Sequence, residues 1–135
     1  VAGPVGININ TSDARYGHGE VASEEDLASG NFDVLSACVS LVRTSVAEEL
    51  GLYDEIFSPG YFEDGDMCYR YREAGYRLVG CPINIEHGYL GPRTSTAKQK
   101  KDILRHAHGN FRETNRTLFV ERWGHRFPAS GSVTA

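Results

Sequence analysis

The stretch Phe57-Ser-Pro-Gly-Tyr-Phe-Glu-Asp-Gly-Asp-Met-Cys-Tyr-Arg-Tyr-Arg-Glu-Ala-Gly-Tyr76 decides how the rest of the chain is read. Pro59 and Gly60 break the chain, Glu63, Asp64 and Asp66 then crowd the first turn of a predicted helix, and Gly75 supplies its stop. Carboxylates at a helix N-terminus complement the partial positive charge there, which accounts for acids in that turn with no further role. Three of them exceed what one cap can use, so the other reading is that at least one faces a site. The pair Tyr61 and Phe62 just ahead also has two readings: rings that stack on a ligand, or anchors of the loop on the core, the anchor suiting Phe62.

Upstream, Val34, Leu35, Ala37, Cys38, Val39, Leu41 and Val42 form a nearly continuous apolar run, the pattern of a strand buried on both faces. Thr44 or Ser45 then caps a short helix, with Ser45 and Glu48 in capping-box spacing and Gly51 past its end. The first thirty residues are rich in Gly, Asn, Ser and Asp and read as loop, with a short helix over Ser23 to Ala28 capped by Ser23 and Asp26. Downstream, Tyr76 to Cys81 and Ile83 to His87 read as two short strands, or one bent at Pro82, before a Gly/Pro turn over Gly88 to Pro92. The last element starts near Ser95 or Thr96 and places Ile103, Ala107, Phe111, Thr114 and Leu118 on one helical face, which Gly109 either bends or splits. The fold class is α/β, with a mixed sheet and flanking helices.

The 135 residues suit one domain, and 40% hydrophobic with 24% charged residues is a globular mixture that can bury one core. No run approaches the length of a membrane span, and Val1 to Asn10 has neither the basic nor the apolar region of a signal peptide, so a soluble, cytoplasmic piece is expected. Cys38, Cys68 and Cys81 lie far apart and read as reduced, buried thiols. Residues 93–135 hold nine Lys/Arg against three Asp/Glu, whereas residues 1–92 hold five against fifteen. The basic end suits phosphates, an anionic membrane surface, or simply solvent; no recognised motif turns it toward nucleic acid. A P-loop, a dinucleotide-binding glycine pattern, a nucleophile elbow and a helical zinc spacing are all absent.

A carboxylate fixed on a helix N-terminus at the floor of a cleft can accept a proton from a hydroxyl as that oxygen attacks an electrophilic carbon. His87 ends a predicted strand beside a glycine-rich turn, where sites on α/β sheets lie, although a lone histidine also serves structure.

Taken as a block, the strand Val34 to Arg43, Gly51-Leu-Tyr-Asp-Glu55, Phe57 to Asp66 and Tyr69-Arg-Tyr-Arg-Glu-Ala-Gly-Tyr76 resemble the inverting glycosyltransferases of family 2, which have the GT-A fold; the match is of the rhamnosyltransferase-like kind. The resemblance continues through Pro82, Glu86-His87-Gly88 and Ser95 to Asn115-Arg116-x-Leu118-Phe119 and Arg122-Trp123-Gly124, and it covers most of residues 1–126, leaving 127–135 as a tail. Gly3-Pro4-Val5 looks like the segment that follows the nucleotide-binding half in that family. The resemblance therefore implies the acceptor-side portion of such a domain without its donor-binding half, and the family's Asp-x-Asp metal motif is not found.

The resemblance implies transfer of a sugar from a nucleoside diphosphate sugar to a saccharide, lipid-linked or protein acceptor, with inversion. It makes Asp64 the catalytic base and assigns acceptor contacts to Glu63, Asp66, Tyr61 and Trp123, donor-phosphate contacts to Arg93 and Ser95, and a metal contact to His87. Mg²⁺ or Mn²⁺ is expected in the parent enzyme, with none held tightly by this portion. A homodimer and a peripheral contact with the inner face of a membrane are further expectations, and nucleic acid is not an expected partner. Two other classes stand beside it: a non-catalytic glycan-binding or assembly module, and a metal-dependent hydrolase built on Glu63, Asp64, Asp66 and His87.

Overall fold

The computed structural model describes residues 1–9, 21–84 and 95–127, and side chains within the last stretch from residue 102. These residues form a mixture of helices and short strands. In chain order they are β1 (Ala2–Gly3), β2 (Gly6–Ile7), α1 (Glu24–Ser29), β3 (Val34–Leu35), α2 (Thr44–Leu50), α3 (Glu63–Glu73), β4 (Val79–Gly80), α4 (Ser95–His108) and α5 (Phe111–Trp123). One-turn 3₁₀ segments lie at Glu55–Phe57 and Gly124–Arg126. Among the described residues no helix is long and apolar enough to cross a membrane.

Among the described residues the strands pair in two separate two-stranded sheets, one parallel and one antiparallel, and not in the single mixed sheet expected. β1 runs parallel to β4, with Ala2 opposite Val79, and β2 runs antiparallel to β3, with Gly6 opposite Leu35. The long strand read over residues 34–42 is a correction: only Val34 and Leu35 are strand, and Val39 and Leu41 are exposed. The chain leaves the ladder after Leu35 because the Ala37 amide turns to the carboxylate of Asp64, 3.2 Å away, rather than to a neighbouring strand. Leu41 makes a single antiparallel bridge to Ala2, in β1 of the other sheet. Of the two strands read over residues 76–87, the described residues contain β4, and residues 81–84 are irregular around Pro82, which has no N–H to give to a ladder; the rest of the second, residues 85–87, lies with residues 88–94 outside the described residues.

Helix boundaries follow the sequence more closely. Ser23 caps α1, its Oγ accepting from the Asp26 amide at 3.0 Å, and Gly30 ends it at φ 80°. α2 spans the expected residues, but its N-cap is Arg43 with no side-chain cap, not Thr44 or Ser45. α3 opens on the three acids and gives way to Gly75 at φ 86°.

The final segment is two helices, divided at Gly109, whose φ of 64° suits a residue without a Cβ. That break ends the single apolar face expected from Ile103 to Leu118. Ile103 is 66% exposed, while α5 buries Asn115, Phe119 and Trp123, spaced four apart. Phe119 and Trp123 join Phe32, Leu35, Phe57 and Tyr69 in the larger core, and Val46, Met67 and Tyr71 form a smaller cluster on the other side of α3. Phe127 belongs with the core rather than a tail: its ring lies 5.7 Å from that of Phe119. Cys68 is fully buried and Cys38 is exposed, so the expectation of three buried thiols holds for one and fails for the other.

Candidate functional site

The acids sit at the end of a tightly held turn. Tyr61 and Phe62 both adopt left-handed backbone, at φ 70° and 73°, and Phe62 is the N-cap of α3. Left-handed geometry costs a side-chain-bearing residue roughly 1–2 kcal/mol, so two in succession must be held by their surroundings. Phe62 is held by burial against Phe119, their rings 5.4 Å apart. Tyr61 remains 42% exposed, with the Phe111 ring 5.9 Å away and the Arg112 guanidinium 4.9 Å above its own ring. This supports the anchor role for Phe62 and leaves the Tyr61 ring accessible.

Asn115, a polar residue only 2% exposed, reaches the same turn from α5. Its Nδ2 donates toward the carbonyls of Phe57 at 2.6 Å, Gly60 at 2.8 Å and Tyr61 at 3.4 Å. Backbone oxygens that have no helix or sheet partner here thus gain one from 55 residues away.

The three acids divide into different roles. Asp66 is fully buried, and both its oxygens are committed: Oδ2 accepts from Arg70 Nε at 2.7 Å, and Oδ1 from Arg122 Nη1 at 2.8 Å and Trp123 Nε1 at 2.9 Å. Arg122 also bonds Asp54 Oδ2 at 2.8 Å and lies over the Phe57 ring. Arg70 carries the same network to the end of α2, donating to the Leu50 carbonyl at 2.6 Å. Asp66 and Trp123, expected on the acceptor side, therefore tie α5 to α3 and have no polar atom left to offer a sugar hydroxyl. That revises their assignment.

Asp64 is held differently. Its Oδ2 accepts from the Ala37 amide at 3.2 Å and its Oδ1 from the Gly65 amide at 2.8 Å, with no cation among these hydrogen-bond partners. Burial lifts the Asp64 carboxyl above its ordinary value, against the pull of those amides. Glu63 is raised as well, first by burial and then by the charge of Asp64, while its own backbone amide draws it down; its Oε2 is buried without a hydrogen-bond partner among the described residues.

Both acids line a cavity of about 390 Å³ together with Ser36, Tyr61, Leu104 and Phe111. Leu104 on α4 and Phe111 on α5 meet there because Gly109 turns the chain between them. A partly desolvated carboxylate, an accessible aromatic ring and an apolar wall make a place where a hydroxyl-bearing ligand can lie and give up a proton.

Glu63, Asp64 and Tyr61 are thus brought together, whereas Asp66 and Trp123 face inward. His87 and Arg93 lie outside the described residues; Ser95 is the first residue of α4, and its side chain also lies outside them. Among the described residues, no three His, Cys, Asp or Glu side chains converge as a metal group would require. Sequence reasoning missed Asn115 as a clamp, the Ala37 amide, and Tyr53, whose phenol is pushed up by burial and by the charges of Asp64 and Glu63, against a hydrogen bond to Ser40. Only Asn115 carried a signal, as a polar residue in the buried register of α5. No family model, characterised protein or solved structure matches the chain.

Proposed function

We propose that this chain is the acceptor-side portion of an inverting, nucleotide-sugar-dependent glycosyltransferase of family 2 with the GT-A fold, and that Asp64 is its general base. The observation that carries the reading is the Asp64 carboxylate, raised by burial, on the wall of a 390 Å³ cavity beside Tyr61. A base with a raised pKa holds an abstracted proton more firmly, which suits deprotonation of a sugar hydroxyl during attack. In the reaction an acceptor hydroxyl oxygen forms its bond to the anomeric carbon, the bond to the nucleoside diphosphate breaks on the opposite face, and the proton passes to Asp64. Glu63 would hold neighbouring hydroxyls and Tyr61 would stack on the acceptor ring.

Arg93, Ser95 and His87 remain proposed contacts to donor phosphate and metal. Mg²⁺ or Mn²⁺ in the parent enzyme would neutralise the diphosphate as it leaves; the described residues do not form a cage for it, and the proton transfer falls on Asp64 alone. A saccharide, lipid-linked or protein acceptor, a cytoplasmic location at the membrane face and a homodimer belong to the same proposal.

A glycan-binding module without catalysis is favoured by one observation, the accessible Tyr61 ring at the cavity, which would serve binding equally well. Assay of the full-length enzyme with a panel of nucleoside diphosphate sugars separates the two. In Asp64→Asn, transfer should be abolished with donor binding nearly intact; turnover retained in that variant would sink the assignment.

A further inference from the structure

From the geometry of the turn we infer that Asn115 is a positioning residue for the base: its carboxamide fixes the left-handed Tyr61–Phe62 turn, and the turn fixes where Asp64 stands. The inference rests on the proposed role of Asp64 and adds a residue on a different helix to that site.

Asp64 is two residues beyond Phe62, so its carboxylate direction follows from the dihedral angles of Tyr61 and Phe62 as well as from α3. Neither φ is one that an L-residue adopts freely. Phe62 is held by burial, but Tyr61 is 42% exposed, and the ring contacts it makes among the described residues are with Phe111 and Arg112, on the far side of Gly109. What holds the backbone of Tyr61 is the Asn115 amide, which spans the carbonyls of Phe57, Gly60 and Tyr61 at 2.6, 2.8 and 3.4 Å. Asn115 is itself fixed, 2% exposed and one turn before Phe119, which packs on Phe62.

A side chain kept only for packing would be apolar here. A buried amide has to be satisfied, and the Nδ2 donors of this one go to the turn that precedes the acids. Losing the donors would take the Asn115 bond from the Gly60 and Tyr61 carbonyls and leave the Phe57 carbonyl only the Gly60 amide, at 2.9 Å, letting the turn relax toward ordinary backbone and moving Asp64 off the line to the hydroxyl. A displacement of about 1 Å of a catalytic group costs on the order of a hundredfold in rate.

The test is Asn115→Leu, which keeps the branching of the side chain, though with larger end groups, and removes both N–H groups. In the full-length enzyme kcat should fall by about tenfold or more with the donor KM unchanged. In this chain, followed by NMR, the Asp64 carboxyl should titrate at lower pH than in the wild type, because an opened turn admits water to a group raised by burial. An unchanged or upward-shifted titration, or an unchanged kcat, overturns the inference. Should the leucine variant fail to fold, Asn115→Gln keeps the donors but moves them by one methylene, and the same fall in kcat and the same titration shift are expected of it. The NMR titration needs no activity, so a wild-type enzyme without transferase activity would defeat the functional reading while leaving the coupling of Asn115 to Asp64 to be decided by the titration.

Discussion

Trp123 donates its indole N–H to Asp66 across 57 residues of sequence, at 2.9 Å, inside the core. The same carboxylate oxygen takes a charged hydrogen bond from Arg122, and the other oxygen takes one from Arg70, so an acid only two residues beyond the candidate base is a structural hub. A buried carboxylate with two guanidinium partners is costly to interrupt, because the cations are left facing a low-dielectric interior.

Asp66→Ala should therefore destabilise the fold by about 3 kcal/mol. Urea denaturation followed by circular dichroism measures it; a loss indistinguishable from that of an exposed-site variant would contradict the hub role.

Asp64→Asn should act in the opposite direction. Because burial raises the Asp64 and Glu63 carboxyls, the stability they contribute is full below their unfolded values of about 4 and is lost as pH rises through their higher folded values. An asparagine carries no such loss at residue 64. The variant should be more stable than the wild type at pH 7, with the difference closing as pH falls toward about 4, while transfer by the full-length enzyme drops by about 10²- to 10⁴-fold. Denaturation midpoints across pH, set beside initial rates, check both halves.

Gly80→Ala should lower stability by about 3 kcal/mol, at the upper end for overpacking. A Cβ there would stand 2.1 Å from the Leu27 carbonyl oxygen and 2.7 Å from Leu27 Cγ, and the first of these is backbone. A shift in thermal midpoint of several degrees is the expected reading.

The thiols should react in two classes. Cys68 is fully buried and its thiol is pushed up to about 11, chiefly by burial, whereas Cys38 is exposed and Cys81 half-buried. With an aromatic disulfide reagent at pH 8, two thiols should react in the native chain and a third only after denaturation. Rapid reaction of all three would contradict the packing of α3 on β3.

Local signals carried much of the fold. The Ser23 cap, the stop glycines at residues 51 and 75, and the acids opening α3 act within a few residues, so they could be read directly. The run from Val34 to Val42 misled because apolar character says nothing of where a backbone amide will turn, and the partner of Ala37 is 27 residues away. The division of labour between Asp64 and Asp66 was equally hidden. Two residues apart on a helix they point about 200° apart, and which side is core depends on Arg122 and Trp123, far along the chain. The resemblance identified the acidic cluster but could not say that Asp66 is sequestered, nor that Asn115 reaches back to the turn.

The clamp on that turn comes from late in the chain. During synthesis α3 emerges some forty residues before Asn115 and fifty before Trp123, so for that interval the acids exist on a helix whose leading turn has nothing to hold it. A product cut short anywhere before α5 would retain the acidic sequence and lack the geometry. Any activity that depends on that geometry is thus withheld until α5 has been made, and a chain that stops short of it cannot act early on the ligands.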